Sequence, residues 1–123
     1  MILVDTSIWI EHLRSKEGAI VSLLENELIG IHPFVIGELA CGAIKNRGLI
    51  LELLDDLPMF PVASDNEVRE LIESRRLYNR GIGWVDAHLL ASVQLQPKST
   101  LLTKDSRLAE IADEFHFVTK LKR

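Results

Sequence analysis

Four acidic residues stand where an apolar run ends or where an apolar helical pattern would otherwise continue: Asp5, Glu38, Asp86 and Asp105. Asp5 follows Ile2-Leu3-Val4, and Asp105 follows Leu101-Leu102-Thr103 just before a helical pattern. Either could be an N-cap, because a carboxylate accepts the free N–H groups of a helix's first turn. Asp86 falls in the first turn of a helix that begins at Trp84, where the macrodipole favours a negative charge. Its neighbours at helical spacing, Leu89, Leu90 and Val93, nevertheless put it on an apolar face. Glu38 interrupts Phe34-Val35-Ile36-Gly37-Glu38-Leu39-Ala40-Cys41 with no opposite charge nearby in sequence. Read as a buried lone carboxylate, it must be paired, protonated or bound to a metal. If all four converge, their repulsion calls for a cation, and a set of hard oxygen ligands selects Mg²⁺ or Mn²⁺. A carboxylate-held ion of that kind keeps several waters. It can aim one at a phosphodiester and stabilise the departing oxygen, so the chemistry implied is that of a nuclease.

The elements that would position these acids alternate between short β-type runs and longer helical ones, with no repeat or low-complexity tract. A strand over 2–4 leads to a helix reaching about residue 14, and a helical pattern over 18–27 precedes a strand over 28–32. Pro33 ends that strand and suits the first position of the next helix, over 34–41. A further helix runs over about 47–56, stopped by Pro58, and a short strand is expected over 59–63. Ser64-Asp65-Asn66-Glu67 has the form of a capping box opening an amphipathic helix to about residue 79. After Gly81-Ile82-Gly83 come a helix over 84–95 that is apolar nearly all round, a strand over 100–103, a helix over 106–113 and a final strand over 115–119. Strands alternating with helices predict an α/β fold of three layers, α/β/α, with a central, mainly parallel sheet of four to five strands. In such sheets ligands bind beyond the carboxyl ends of the strands, where the strand order reverses.

These stretches resemble the PIN domain, and within it the small VapC-type ribonuclease toxins of toxin–antitoxin pairs. The matching segments are Asp5-Thr6-Ser7-Ile8-Trp9-Ile10, Gly37-Glu38-Leu39, Gly83-Trp84-Val85-Asp86-Ala87 and Leu102-Thr103-Lys104-Asp105, in the family's order over essentially the whole chain. The resemblance implies a single domain over 1–123 and a Mg²⁺- or Mn²⁺-dependent endoribonuclease. Its acidic quartet would be Asp5, Glu38, Asp86 and Asp105. Asp5 and Asp86 are then direct metal ligands, with Glu38 and Asp105 completing the site directly or through water. Thr6 and Thr103 match hydroxyl positions that support the site. The resemblance also implies a homodimer, an RNA substrate and a VapB-type antitoxin. A segment of that antitoxin would cover the active site while its other end binds operator DNA.

Composition bounds these readings. The 123 residues, 47% hydrophobic and 26% charged, suffice for one hydrophobic core. Cys41 is the only cysteine, which excludes an intramolecular disulfide and fits a reducing compartment; its thiol is expected to fill core. The N-terminus lacks the basic flank and long apolar region of a signal peptide and no run is long enough to span a membrane, so the cytoplasm is expected. A net charge of −4 opposes nucleic-acid binding at first sight. Without the four acids, however, the balance is zero, and a metal would itself supply positive charge to phosphate.

Other residues bear on substrate and partner. Lys104 and Arg107 flank Asp105 and are the candidates to contact the scissile strand, whereas Arg69, Arg75, Arg76 and Arg80 suit either a phosphate-tracking face or a solvated one balanced by Glu70 and Glu73. His12, His32, His88 and His116 show no common metal spacing, and Trp9 and Trp84 sit in apolar patterns that predict core. A second reading makes the chain a regulatory binding module with weak or no nuclease activity. It would act by joining a DNA-binding partner, the acidic pocket serving as a socket for that partner's Arg or Lys.

Overall fold

The computed structural model describes residues 1–15 and 20–119. Its elements are β1 (Ile2–Val4), α1 (Thr6–Ser15), α2 (Ile20–Glu25), β2 (Ile29–Gly30), α3 (Pro33–Ala40), α4 (Arg47–Asp55), α5 (Asp65–Ser74), α6 (Trp84–Leu95), β3 (Thr100–Leu102) and α7 (Ser106–Glu114). The expected start of the second helix, at residues 18–19, lies outside the described residues. The strands form a parallel sheet in the order β2-β1-β3, with Leu3 opposite both Gly30 and Leu101. Helices cover it as the three-layer α/β/α reading predicts. Leu3, Val4, Ile29, Leu101 and Leu102 are buried to 3% exposure or less, as strands covered on both faces require.

The two outer strands shrink to single parallel bridges, Met59 to Ile31 and Val118 to Leu101. Phe60 N–H donates to Ile31 O at 2.8 Å, but the next residue is Pro61, which has no N–H with which to extend the ladder. Gly30 admits the Phe60 ring against β2, since a Cβ there would lie 2.5 Å from it.

The helix expected to reach residue 79 stops at Ser74. Leu77 is still buried, which prolonged the apolar pattern, but Arg76 and Asn79 adopt positive φ, incompatible with a continuing α-helix. In the following loop Gly81 has φ +81°, and a Cβ there would collide with the Arg107 side chain. α6 is the central helix: every residue from Ala87 to Val93 is buried, and it packs against β3 and α5. α7 also packs on β3, while α1 and α4 pack on α3.

Two expectations about the core do not hold. Cys41 is exposed, because α3 ends at Ala40 and the chain turns outward there. Trp84 is 42% exposed at the first position of α6, ahead of the helix's buried stretch, whereas Trp9 is core at 3%.

Candidate active site

β1 is the central strand, and the chain passes from it to β2 on one side and later to β3 on the other. The strand order therefore reverses at β1, and the crevice expected there opens at its carboxyl end, where Asp5 stands. Asp5 is buried, with 6% exposure, and its carboxylate is held from several sides. Ser7 Oγ donates to Oδ1 at 2.6 Å, Ile8 N–H donates to Oδ1 at 3.3 Å, and Thr103 Oγ1, arriving from the end of β3, donates to Oδ2. The cap-like contact to Ile8 and a place at the crevice thus coexist in one residue. Ser7 escaped the sequence reading as part of the site; its only signal was a hydroxyl two residues beyond the acid.

Asp105 caps α7, its Oδ1 accepting from Arg107 N–H at 2.9 Å and Leu108 N–H at 3.3 Å. Its own N–H donates to Thr103 Oγ1 at 3.0 Å. One threonine therefore ties Asp5 to Asp105 across the ends of β1 and β3.

Glu38 is exposed rather than buried. Val35 and Leu39 are the buried stripe of α3, and Glu38 lies on the flank of that stripe, facing the rim. Thr6 Oγ1, at the start of α1, donates to its Oε1 at 2.7 Å.

Asp86 is half-buried on the first turn of α6, with Oδ2 accepting from Gly83 N–H at 3.0 Å. Burial raises its pKa above the ordinary aspartate value. The Gly83 bond offsets part of that rise, and the charges of Asp105, Asp5 and Glu38 add to it. The four acids thus share one electrostatic neighbourhood.

Among the described residues, no lysine or arginine pairs with any of the four. Lys104 pairs instead with Glu11 of α1, and Arg107 lies against Gly81. Arg80 joins the loop before α6 to Glu114 and Glu110 of α7, so its counter-charges are not Glu70 and Glu73; Arg75 stacks on Phe115 at 3.8 Å. The described residues hold no tight cluster of three His, Cys, Asp or Glu side chains ready to ligate an ion. The set nevertheless suits a hard cation in its chemistry: oxygen donors only, mutually repelling at Asp86, and without a basic counter-charge among the described residues.

Residues 2–114 match the PIN domain. The chain belongs to the PIN domain family. Over 108 residues this PIN domain is 53% identical to Ribonuclease VapC32 of Mycobacterium tuberculosis, strain CDC 1551 / Oshkosh, a match covering 88% of this chain and 87% of that protein. The protein of the same name from strain ATCC 25618 / H37Rv gives the same identity and coverage. The acids of the PIN domain come from four separate places, the ends of β1 and β3, the rim of α3 and the first turn of α6. Only the folded sheet gathers them.

Proposed function

We propose that the chain is a metal-dependent endoribonuclease of the VapC type, the toxin of a toxin–antitoxin pair, acting in the cytoplasm as a single PIN domain over 1–123. The observation that carries the reading is the shared neighbourhood of the four acids: Asp86, raised first by burial, also feels Asp105, Asp5 and Glu38, and among the described residues no lysine or arginine pairs with it. The 53% identity to a ribonuclease supports it.

Asp5, Asp86, Glu38 and Asp105 would hold Mg²⁺ or Mn²⁺, which when bound supplies an activated water and neutralises charge on the phosphate. The protein's share is to hold the ligands in place. Ser7 and Thr103 fix Asp5, Thr6 fixes Glu38, Gly83 N–H fixes Asp86, and the start of α7 fixes Asp105. Lys104 and Arg107 are the groups assigned to the RNA strand. Lys104 must leave Glu11 to reach it, an exchange that costs little for an exposed pair.

A groove of about 440 Å³ runs beside Glu38, lined by Ile10, Leu13, Leu39, Ala43 and Ile44. Its walls are mainly apolar, with Glu38, Arg14 and Lys45 as the charged residues of its lining. They suit the apolar face of a VapB-type antitoxin segment, one Arg or Lys of which would reach the acidic site through Glu38, operator DNA being contacted through the antitoxin. This groove also favours the second reading, a regulatory module with little nuclease activity.

Cleavage of end-labelled tRNAs and a structured ribosomal RNA fragment separates the two. Metal-dependent cuts at defined positions, absent with EDTA and in Asp5→Asn and Asp86→Asn, are expected. Full activity in both variants would refute the ribonuclease reading, and a folded chain that cuts nothing would leave the binding module.

A further inference from the structure

His32 is fully buried between β2 and α3, and its backbone is extended. Pro33 opens α3 and has no N–H, so the first donor of the helix is Phe34 N–H, which donates to His32 Nδ1 at 3.0 Å. The next two donors, Val35 N–H and Ile36 N–H, end on His32 O at 3.0 and 3.2 Å. The whole first turn of α3 therefore hangs on one residue. α3 has only 8 residues, and Glu38 lies less than two turns beyond this cap.

An Nδ1 that accepts must be bare, which places the proton of the neutral ring on Nε2. Burial, reinforced by the nearby His88, lowers the His32 pKa from 6.5 to about 4, so the ring is neutral at pH 7. Its plane is set by neighbours, with Phe34 at 5.0 Å and His88 at 6.4 Å between ring centroids, and Phe34 in turn 4.5 Å from His88. His88 belongs to α6, two residues beyond Asp86, and its Nε2 lies 3.3 Å from Asp65 of α5.

We propose that His32 is a positioning residue for the acidic site: its bare Nδ1 caps the helix that carries Glu38 and so sets where that carboxylate stands. The proposal rests on the reading of the four acids as one metal site. Serine, asparagine and aspartate are the common caps. Histidine does the same work here through a ring that also fills the space beside α6.

Asparagine and glutamine divide the two ring nitrogens between them. Asn Oδ1 occupies the place of Nδ1 and can cap, whereas the Gln amide reaches the place of Nε2 and cannot. The full-length chain is titrated with Mn²⁺ alone, followed by calorimetry, in wild type, His32→Asn, His32→Gln, Glu38→Gln and the His32→Gln/Glu38→Gln double variant. Wild type is also examined by ¹⁵N NMR for its His32 tautomer. The expected results are an Nε2–H tautomer at pH 7, Mn²⁺ affinity within about threefold of wild type in His32→Asn, and a loss of about tenfold or more in His32→Gln. In the Glu38→Gln background, His32→Gln should cost nothing further, because the ligand it positions is gone.

An Nδ1–H tautomer, equal affinities in the Asn and Gln variants, or additive losses in the double variant would overturn the proposal. So would a His32→Gln chain that fails to fold, which would make the cap a requirement of the fold rather than of the site. Failure of wild type to bind Mn²⁺, or a Glu38→Gln variant that binds normally, would instead overturn the reading of the acidic site itself.

Discussion

A half-buried carboxylate with three other acids in reach of its charge is costly to ionise, and Asp86 is held in that position. Because its folded pKa is raised, the folded state binds the proton more tightly than the unfolded one, and stability falls as pH rises through that window. At pH 7 the charge is a net cost. Asp86→Asn is therefore expected to melt at the same temperature as wild type or higher, read by calorimetry at pH 7, while RNA cleavage falls by about a hundredfold or more. Thr103 gives a complementary test, since its hydroxyl donates to Asp5 and accepts from Asp105 N–H. Thr103→Val keeps the shape and removes both bonds. It should weaken Mn²⁺ binding about 10- to 100-fold, with Thr103→Ser restoring most of the loss. Asp5 and Asp105 could be picked out because one directly follows β1 and the other stands three residues after β3, and their cap contacts show that the bland reading was also sound. Glu38 was picked out for a burial it does not have: a one-dimensional apolar pattern cannot tell the flank of a stripe from its centre. Ser7 and His32 were passed over because a hydroxyl or an imidazole next to a turn carries no signal until its partner is known.

Elements with explicit punctuation were legible. Pro33 stands at the first position of α3, and Ser64 and Glu67 close the capping box of α5 with bonds of 3.1 and 2.9 Å. The limits of α6 follow from Gly83 and from seven successive buried residues. What failed was set by tertiary context. A buried Leu77 extended an apolar pattern past the true end of α5, and the residues around Met59 and Val118 had strand composition but only one bridge partner each. The cap of α3 carries a prediction at this scale. The folded His32 pKa, near 4, lies below the unfolded value of 6.5, so the unfolded chain binds more protons between those limits. The stabilisation is complete above about pH 6.5 and is lost as pH falls toward 4. Urea unfolding should show wild type losing about 2 kcal/mol between pH 7 and pH 5 from this group alone. The loss should be absent from His32→Asn, whose cap does not titrate. Equal slopes in the two proteins would show that His32 does not titrate as its burial requires.

At the scale of the whole molecule, the parallel sheet and helical layers were readable from alternation, because parallel strands demand crossovers and crossovers demand cover. Surface use was readable only as an alternative. The aliphatic pattern over 47–57 suited either core packing or a partner surface, and Leu54 does face the core at 3% exposure. Leu49 and Leu53, one turn apart on the same helix, are 58% and 54% exposed. Met59 and Val62 in the segment that follows are exposed as well. Two leucines on one turn of a short helix form an apolar face that a lone chain gains nothing by showing to water. Burying it against a second copy is the isologous arrangement of a symmetric dimer, in which the same patch serves both partners. The homodimer that the resemblance to VapC-type toxins implies is therefore expected to close through α4. Leu49→Asp/Leu53→Asp places like charges opposite each other across the two-fold axis without disturbing the Leu54 contact. Light scattering on the size-exclusion peak should show a monomer for this variant and a dimer for wild type, at unchanged unfolding midpoints for a dilute monomeric sample. A variant that remains dimeric would place the interface on another face.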